Sequence, residues 1–315
     1  MEFRNMGCSG LRVSLVGLGC NNFGGRIDLE ATRAVVHRAL DAGITLFDTA
    51  DSYGNRGGSE SMLGEILGDR RKDIVLATKF AQPMNDAHTL KGASRGYIIT
   101  AVEASLRRLK TDWIDLYQQH VADPHTPREE TLRALDDLVR QGKVRYIGCS
   151  NLPAWQVTDA VWASRHHGLG GFVCAQDEYS LLARDAEREL IPALTAHGLG
   201  LLPFFPLAGG LLTGKYKRSG PMPERARLTY VKASADRFLT AKNWARVEAL
   251  EAFCAKRDHG MLELAFSWLA TRVPVASIIA GATQPEQIDA NVRAAGWKLT
   301  PDEIAEIDRM TTPGV

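Results

Sequence analysis

Short apolar runs alternate with helical stripes along most of the chain. Eight runs of mostly apolar residues predict buried parallel strands, because a strand covered on both faces shows little alternation. They lie at 13–18, 44–48, 74–78, 113–119, 144–148, 172–175, 200–205 and 277–280. Between them, apolar residues recur every three or four positions, as in the stripe Ile99, Val102, Leu106 and Leu109, which predicts amphipathic helices. Eight strands alternating with helices predict a (β/α)8 TIM barrel.

Elements at both ends of the chain lie outside this repeat. A turn at 7–10 between FRNM and LRV predicts an N-terminal β-hairpin, and the segments from Pro285 and from Pro301 to Met310 predict extra C-terminal helices. We expect residues 1–315 to form one barrel domain. An open doubly wound sheet needs a Gly-rich turn and a topological break, and neither is found. After Gly17 and Gly19, position 22 is Asn22, so the dinucleotide fingerprint fails.

Composition narrows the function classes without naming one. Hydrophobic residues make up 45% and charged residues 24% of the 315, and the net charge of +1 gives no reason to expect nucleic acid or an acidic membrane surface. No run approaches the ~18 apolar residues of a membrane span, and the N-terminus has no signal-peptide core. The five cysteines are scattered and never form a CxxC pair, which is typical of reduced thiols. These features predict a cytoplasmic protein; they leave its oligomeric state open.

Polar residues stand where three neighbouring predicted strands end. Asp48 closes the run ITLF, Lys79 follows the third strand and His120 follows the fourth, while Tyr53 lies in the loop just after Asp48. Each residue alone suits a structural role, such as a cap or a packed side chain. Because the C-terminal ends of barrel strands open onto one face, where active sites lie, we expect the four to converge.

These four residue types suit the reduction of a carbonyl group. A hydride added to a carbonyl carbon leaves an alkoxide that must be protonated, and a phenol with a reference pKa of ~10 is a weak acid for that step. We expect the Lys79 ammonium to lower the pKa of Tyr53, Asp48 to pair with Lys79, and His120 to orient the carbonyl. A metal site is the weaker interpretation, since one His and one Asp lack further ligands. Lys79 could instead form a Schiff base, as in an aldolase.

Several long motifs in this order resemble the aldo-keto reductase family over essentially the whole chain. The matching segments are GLRVSLVGLG, GITLFDTADSYG, TKF at 78–80, DLYQQH, GKVRYIGCSN, AQDEYSLLAR, LLTGKY and GATQPEQIDANV. The resemblance implies a catalytic tetrad of Asp48, Tyr53, Lys79 and His120 with Tyr53 as general acid. It also implies an NADP cofactor lying across the barrel mouth, with NAD as a possible alternative, and a small carbonyl substrate. The segment HVADPHTPREET and the short tail after Met310 resemble the bacterial and potassium-channel beta-subunit branch.

The resemblance further implies which residues bind the cofactor. Ser150, Asn151 and Gln176 would contact the nicotinamide. The wider implied set is Cys20, Asn21, Asp48, Phe204, Phe205, Pro206, Leu207, Gly209, Lys215, Arg225, Gly281, Thr283, Gln287 and Asn291. Phe204 replaces the usual Tyr or Trp that stacks on the nicotinamide, and Phe205 replaces a polar neighbour. The basic loop with Lys215, Arg225 and Arg227 is similar to the segment that folds over the pyrophosphate.

Two expectations concern specificity. Without a long C-terminal loop, the substrate site should be open and bordered by Asn21, Asn22, Phe23 and Phe80. In relatives that prefer NADPH, residues after strand eight hold the 2′-phosphate, and here Thr283 and Gln287 at a helix N-terminus could bind it. Because this segment has no Lys or Arg, we expect a preference for NADPH with appreciable use of NADH.

The sequence leaves three functions in competition. The first is an NADPH-dependent reductase of aldehydes or ketones. The second is a cofactor-binding regulatory module, as the channel beta subunits of this family are. The third is the Schiff-base aldolase. The natural substrate cannot be read from the residues.

Overall fold

Eight parallel strands form the (β/α)8 barrel that the sequence predicts. The computed structural model describes residues 1–224 and 226–312. The strands are β1 Phe3–Asn5, β2 Arg12–Ser14, β3 Val16–Gly19, β4 Leu46–Asp48, β5 Val75–Phe80, β6 Ile114–Gln119, β7 Val144–Ser150, β8 Phe172–Glu178, β9 Gly200–Phe204 and β10 Ile278–Gly281. The helices are α1 Leu29–Asp41, α2 Tyr53–Leu67, α3 Arg95–Leu109, α4 Arg128–Arg140, α5 Ala154–His167, α6 Leu190–His197, α7 Arg227–Tyr230, α8 Lys232–Phe238, α9 Ala241–Ala255, α10 Met261–Ala270, α11 Pro285–Ala294 and α12 Pro301–Thr311.

The strands follow the chain order around the barrel. The hydrogen-bonded sequence is β10-β3-β4-β5-β6-β7-β8-β9, and each pair is parallel. The two ends of this sheet meet beside β9, where Leu201 forms a parallel bridge with Val275. The carboxyl ends of all eight strands therefore open at one mouth.

The predicted hairpin closes the opposite end of the barrel. Strands β1 and β2 pair antiparallel, and the buried side chains of Met6, Leu11 and Val13 pack against the inward-facing apolar side chains of the strands. Those inward-facing side chains are Leu46, Ala77, Leu116, Cys174, Leu202, Ala276 and Ile279. The hairpin thus keeps water out of the barrel floor, and only the mouth remains polar.

A polar layer lies directly above this apolar layer. Side chains alternate between the two faces of a strand, so the residues two positions after Leu46, Ala77, Leu116 and Cys174 also point inward. These residues are Asp48, Lys79, Gln118 and Gln176, and all of them are buried. Strand geometry alone therefore places an acid, an amine and two amides at one level of the barrel.

Two sequence expectations need correction, and one helix has an irregular start. The run 13–18 is not one strand, because its first residues pair with β1 while Val16–Gly19 joins the barrel. Positive φ angles at 54–57 interrupt the start of α2, so its regular turns begin only after residue 57. Ile99 is 40% exposed, and its neighbour Ile98 faces the core in the α3 stripe.

The segment after β9 carries two short helices that the sequence did not predict. Helices α7 and α8 follow the Gly-rich stretch and pack beside the mouth of the barrel. Their apolar residues are too few to make a periodic pattern of their own, which is why the segment resembled a loop. Within residues 1–224 and 226–312, no helix has the length and apolar character needed to cross a membrane.

Close packing of α2 on α3 gives a first test of this fold. A Cβ atom at Gly64 would lie 2.2 Å from the backbone oxygen of Arg108, and neither backbone can move freely. We expect Gly64→Ala to lower the free energy of unfolding by at least about 1–3 kcal/mol. The matched control is Gly96→Ala in α3, where a Cβ would meet nothing within 4 Å. It should gain up to about 1 kcal/mol from helix propensity. Urea unfolding of both variants measures the difference, and equal stabilities would contradict the α2–α3 contact.

Candidate active site

A buried ion pair lies at the centre of the barrel mouth. Lys79 Nζ is 2.7 Å from Asp48 Oδ2 and donates a second hydrogen bond, of 2.8 Å, to the backbone oxygen of Thr49. Both charged side chains are almost completely buried. The predicted pairing of Asp48 with Lys79 is therefore confirmed. Burial would lower the pKa of Lys79, but Asp48 and then Tyr53 outweigh it, so the pKa is raised and the amine stays charged.

The second carboxylate oxygen of Asp48, Oδ1, accepts hydrogen bonds from two glutamine side chains. Gln176 Nε2 donates to Asp48 Oδ1 over 2.8 Å, and Gln118 Nε2 donates to the same oxygen over 3.2 Å. Gln118 was missed as a site residue in the sequence, although it follows Leu116 by two positions and therefore had to point inward. With both oxygens bonded, the carboxylate is fixed and stabilised as an anion.

Tyr53 and His120 stand on top of this pair. Lys79 Nζ lies 5.0 Å from the centroid of the Tyr53 ring, and the rings of Tyr53 and His120 meet edge to face at 5.7 Å. Tyr53, His120 and Asp48 all line the same cavity, while Lys79 lies beneath them. The expected convergence of the four residues is thus confirmed as geometry.

The pKa of Tyr53 differs from the expectation. Burial raises the pKa of the phenol above its ordinary value, and the Lys79 ammonium opposes this shift only in part. The prediction of a lowered pKa is therefore wrong, because the sequence indicated the charge but not the depth of burial. A phenol with a raised pKa carries its proton throughout the neutral range, which is the form that a proton donor needs.

His120 is a neutral imidazole. Burial, and then the positive charge of Lys79, lower the pKa of His120 to about 3. Its Nδ1 atom has no hydrogen-bond partner among the described residues. A neutral ring carries one N–H donor and one acceptor nitrogen, so His120 can donate a hydrogen bond to an oxygen in the cavity without transferring a proton.

A cavity of about 1160 Å³ extends from these residues across the barrel mouth. This volume is much larger than a small carbonyl compound requires, which indicates room for an extended cofactor. The residues predicted to bind the cofactor that line it are Cys20, Asn21, Asp48, Ser150, Asn151, Gln176, Phe204, Phe205, Pro206, Leu207, Gly209, Lys215, Gly281, Thr283, Gln287 and Asn291. Arg225, also predicted, lies outside the described residues.

Hydrogen bonds connect the polar side chains at the carboxyl ends of β7 and β8. Ser150 Oγ donates to the backbone oxygen of Gln176 over 2.7 Å. Asn151 Nδ2 donates to the backbone oxygen of His120 over 3.1 Å and to Ser150 Oγ over 2.9 Å. Asn151 has a left-handed φ of 56°, which is uncommon outside glycine and is best tolerated by Asn and Asp. The predicted nicotinamide residues are therefore held in place by one another.

Two of the residues predicted to border the substrate site belong elsewhere. Phe23 and Phe80 are fully buried in the apolar layer between the barrel and its surrounding helices. Phe80 packs on Tyr117 with ring centroids 4.8 Å apart. That prediction is wrong for both. Phe80 directly follows the inward-facing Lys79, so alternation turns it outward. Asn21 and Asn22 do line the cavity.

Three cations gather along the cavity, and one of them was missed in the sequence. Arg26, Lys215 and Arg227 all line it. Burial and then the neighbouring Arg26 lower the pKa of Lys215, and burial together with Arg26 also lowers the pKa of Arg227. Like charges brought together in a partly desolvated site are costly by themselves, so this group fits a polyanion such as the phosphates of a dinucleotide. No helical or strand pattern in the loop at 20–27 pointed to Arg26.

Arg227 also links the two sides of the cavity. Its Nη2 atom donates to Asn22 Oδ1 over 3.3 Å, and Asn22 Nδ2 in turn donates to the backbone oxygen of Ala282 over 3.3 Å. The guanidinium stacks over the ring of Phe205 at 5.6 Å. Phe205, where a polar contact was in doubt, thus supports the arginine of this bridge.

The segment after β10 is arranged differently from the expectation. The backbone N–H and the hydroxyl of Thr283 both donate to Gln287 Oε1, over 2.7 and 3.3 Å. Thr283 therefore uses its donors on Gln287, and the amide nitrogen of Gln287 remains available as a donor toward the cavity. In the part of the chain that the structure describes, no group of three or more His, Cys, Asp and Glu side chains could hold a metal ion.

A second buried carboxyl group lies just behind the site. Asp51 is 1% exposed, and neither of its oxygens finds a hydrogen-bond partner within residues 1–224 and 226–312. Nearby Glu60 is itself bonded to Arg108 Nε over 2.7 Å. Burial, and then the negative charge of Glu60, raise the pKa of Asp51 to about 8. The side chain is therefore a neutral acid in the folded protein at pH 7.

This pKa predicts a pH-dependent loss of stability. The unfolded chain ionises Asp51 near its reference pKa of ~3.9, while the folded protein ionises it only near pH 8. The contribution of Asp51 to the free energy of unfolding is therefore fully present below about pH 4. It falls by up to about 1.4 kcal/mol per pH unit until about pH 8. We expect Asp51→Asn to remove this part of the slope, whereas Asp112→Asn at an exposed position should not. Urea unfolding from pH 4.5 to 8.5 gives the three slopes, and parallel slopes for wild type and Asp51→Asn would refute the prediction.

Comparison with known proteins agrees with the fold. The sequence profile of the Aldo/keto reductase family matches residues 15–312. A probable voltage-gated potassium channel subunit beta from Oryza sativa subsp. japonica is 35% identical over 319 residues, which cover 98% of this chain and 96% of the relative. An uncharacterized oxidoreductase, YrpG, from Bacillus subtilis (strain 168) is 37% identical over 309 residues, with 95% and 92% covered.

An enzyme with a named substrate is also similar. The L-glyceraldehyde 3-phosphate reductase of Escherichia coli (strain K12) is 33% identical over 324 residues, which cover 100% of this chain and 93% of the relative. Because the family profile and these relatives span nearly the whole chain, this protein belongs to the aldo/keto reductase family.

Proposed function

We propose that this protein reduces aldehydes or ketones to alcohols with NADPH as the reductant. The observation that carries the proposal is the arrangement of Tyr53 and His120 over the buried Lys79–Asp48 pair at one end of a long cavity. This arrangement supplies a proton donor and an oxygen-orienting donor side by side. Family membership and the oxidoreductase names of two relatives support it.

The residues present fit a dinucleotide. Arg26, Lys215 and Arg227 offer positive charge for its phosphates, and Phe204 offers a ring face on the cavity wall near the tetrad. Ser150, Asn151 and Gln176 would hold the nicotinamide end, and Gln287 with Asn291 the adenosine end. When bound, NADPH supplies the hydride that reduces the carbonyl carbon.

Side chains of the protein would supply the proton and orient the substrate. Tyr53 Oη would give its proton to the carbonyl oxygen as negative charge develops there. Lys79 lies below the ring and stabilises the phenolate that remains, while Asp48 holds Lys79 and balances its charge. His120 would donate a hydrogen bond to the same oxygen from its neutral ring and so fix the direction of the carbonyl group.

Both competing functions have less support in the geometry. A Schiff-base lysine must be a neutral amine, whereas Lys79 is bonded to Asp48 and has a raised pKa, so the aldolase is disfavoured. A regulatory module like a channel beta subunit remains the second candidate, because a rice relative carries that name. Steady turnover of a carbonyl compound with NADPH distinguishes an enzyme from a protein that only binds the cofactor. The five free cysteines support our proposal of a reducing, cytoplasmic location.

Removing the proton donor tests the proposed reaction. We expect Tyr53→Phe to lower the rate of aldehyde reduction by at least ~100-fold, the low end for lost general acid catalysis, with little change in NADPH affinity. Lys79→Met should behave similarly, because the developing phenolate then loses its countercharge. Tyr117→Phe is the matched control, since that phenol is buried in the core without a hydrogen-bond partner among the described residues. Absorbance at 340 nm with a panel of small aldehydes and ketones measures turnover, and a Tyr53→Phe enzyme with most of its activity would exclude Tyr53 as the acid.

Cofactor choice can be tested at the adenosine end. One hydrogen bond from Gln287 to a charged phosphate contributes about 1.5 kcal/mol, so we expect NADPH to bind about tenfold more tightly than NADH. Gln287→Glu has nearly the same shape but places a negative charge there. It should weaken NADPH binding and leave NADH binding nearly unchanged. Fluorescence quenching gives the four dissociation constants, and tighter binding of NADH by the wild type would refute the preference.

A further inference from the structure

A second pocket lies at the closed end of the barrel, beside the turn of the N-terminal hairpin. Its volume is about 320 Å³, within the range of ~300–1,000 Å³ that is usual for small-molecule sites. The hairpin turn forms one wall, and the backbone N–H of Cys8 donates to the backbone oxygen of Gly198 over 2.8 Å. Ser164 and Arg165, near the C-terminal end of α5, form another wall. No residue is shared with the lining of the large cavity at the barrel mouth, so the two are separate sites.

Cys8 is the thiol of this pocket. All five cysteines lie within the described residues, and of these Cys8 is exposed while the other four are buried. Burial raises the pKa of the four buried thiols, so they stay protonated and unreactive. The Cys8 Sγ atom lies against Gly198, where an added Cβ atom would come within 2.7 Å of the sulfur. The thiol is therefore reachable from solvent and lies at the edge of the pocket.

A buried hydroxyl group without a partner lines the same pocket. Ser164 is 3% exposed, and its Oγ atom has no hydrogen-bond partner within residues 1–224 and 226–312. A helical Ser often donates to the carbonyl oxygen one turn earlier, but this one does not. Because a buried polar group without a hydrogen bond is unfavourable, the hydroxyl of Ser164 points to a polar group of a bound molecule.

Two side chains that can bind an anion line the pocket beside this hydroxyl. Arg165 and His197 both face it, and neither forms an ion pair in the part of the chain that the structure describes. Trp162 supports both groups: the Arg165 guanidinium lies 5.3 Å over its ring, and the His197 ring meets it edge to face at 6.4 Å. A guanidinium without an acidic partner and an imidazole N–H are suitable donors to a carboxylate ligand.

We propose that Cys8 and this pocket form a modification site for a small thiol of the glutathione type, a short peptide that carries carboxylate groups. The disulfide form of that peptide is the co-reactant. The Cys8 thiolate attacks one sulfur of the disulfide, a new S–S bond forms to Cys8, and the original S–S bond breaks. The released half leaves as a thiolate and takes up the proton that Cys8 lost. Cys8 is thereby oxidised, and one equivalent of the small thiol is produced by reduction.

The pocket gives the attached peptide contacts that an ordinary exposed cysteine lacks. Arg165 and His197 would bind its carboxylates, and Ser164 Oγ would bond one of its amide groups. The modification is reversible, because an excess of the small thiol drives the exchange backward. Since the pocket lies at the end of the barrel opposite the mouth, the attached peptide would cover Cys8 and leave the large cavity open.

Mass spectrometry of the intact protein in glutathione buffers of fixed thiol-to-disulfide ratio tests the proposal. We expect one added glutathione, located at Cys8 by peptide mapping, and none on Cys8→Ser. The exchange constant is then compared with that for hydroxyethyl disulfide, a neutral disulfide. Arg165→Gln should lower the ratio of the two constants by about three- to fivefold, as expected for the loss of an exposed ion pair. The matched control is Arg107→Gln, which replaces an exposed arginine of α3 outside the pocket and should leave the ratio unchanged.

The orphaned hydroxyl provides an independent test. Ser164→Ala should lower the exchange constant for glutathione by about two- to tenfold, the range for one lost hydrogen bond, and leave that for hydroxyethyl disulfide unchanged. The thermal transition of each variant establishes that it is folded. A ratio that neither Arg165→Gln nor Ser164→Ala changes would show that Cys8 is an ordinary exposed thiol and would overturn the proposal. Modification of another cysteine in the folded protein would overturn it as well.

Discussion

The charged contact between Lys79 and Asp48 is the interaction on which the mouth of the barrel depends. Two buried charges are costly unless each is paired and fully hydrogen-bonded, and here both conditions are met. Lys79 bonds Asp48 and a backbone oxygen, and Asp48 bonds two glutamine amides as well. Four strands therefore each contribute one side chain to this polar layer. A substitution of any one of these side chains would disturb the hydrogen bonds and the charge pairing of the others. The phenol of Tyr53 owes its surroundings to this layer.

Burial and neighbouring charges together set the protonation of the groups at the barrel mouth. The same desolvation that keeps the proton on Tyr53 removes it from His120, while Lys79 remains charged because Asp48 and Tyr53 together outweigh its burial. One polar layer thus produces a protonated donor, a neutral donor and a fixed cation at a single pH. Asp51 shows the alternative outcome, because a buried carboxyl group without a partner keeps its proton. Pairing therefore decides which buried groups are charged.

Most of the fold and the tetrad could be predicted from the sequence because strand residues alternate with period two. Asp48, Lys79 and His120 end their strands, and the barrel topology then brings them together. The same rule, applied strictly, would also have found Gln118 and turned Phe80 outward. Arg26 could not be predicted in this way, because its position depends on the irregular loop at 20–27 and on the segment that carries α7. The raised pKa of Tyr53 was missed for a different reason: burial depends on the packing of several elements and leaves no mark in the neighbouring residues.

The hydrogen bond from Arg227 to Asn22 has a consequence for the salt dependence of the barrel mouth. Its acceptor is an amide oxygen instead of a carboxylate, so the contact lacks an opposing charge that salt could screen. The lifetime of the Arg227–Asn22 contact should then depend on its hydrogen-bond geometry and on the stacking of Arg227 over Phe205, and only weakly on ionic strength. For the proposed dinucleotide, the residence time would then be set mainly by the contacts of its own phosphates.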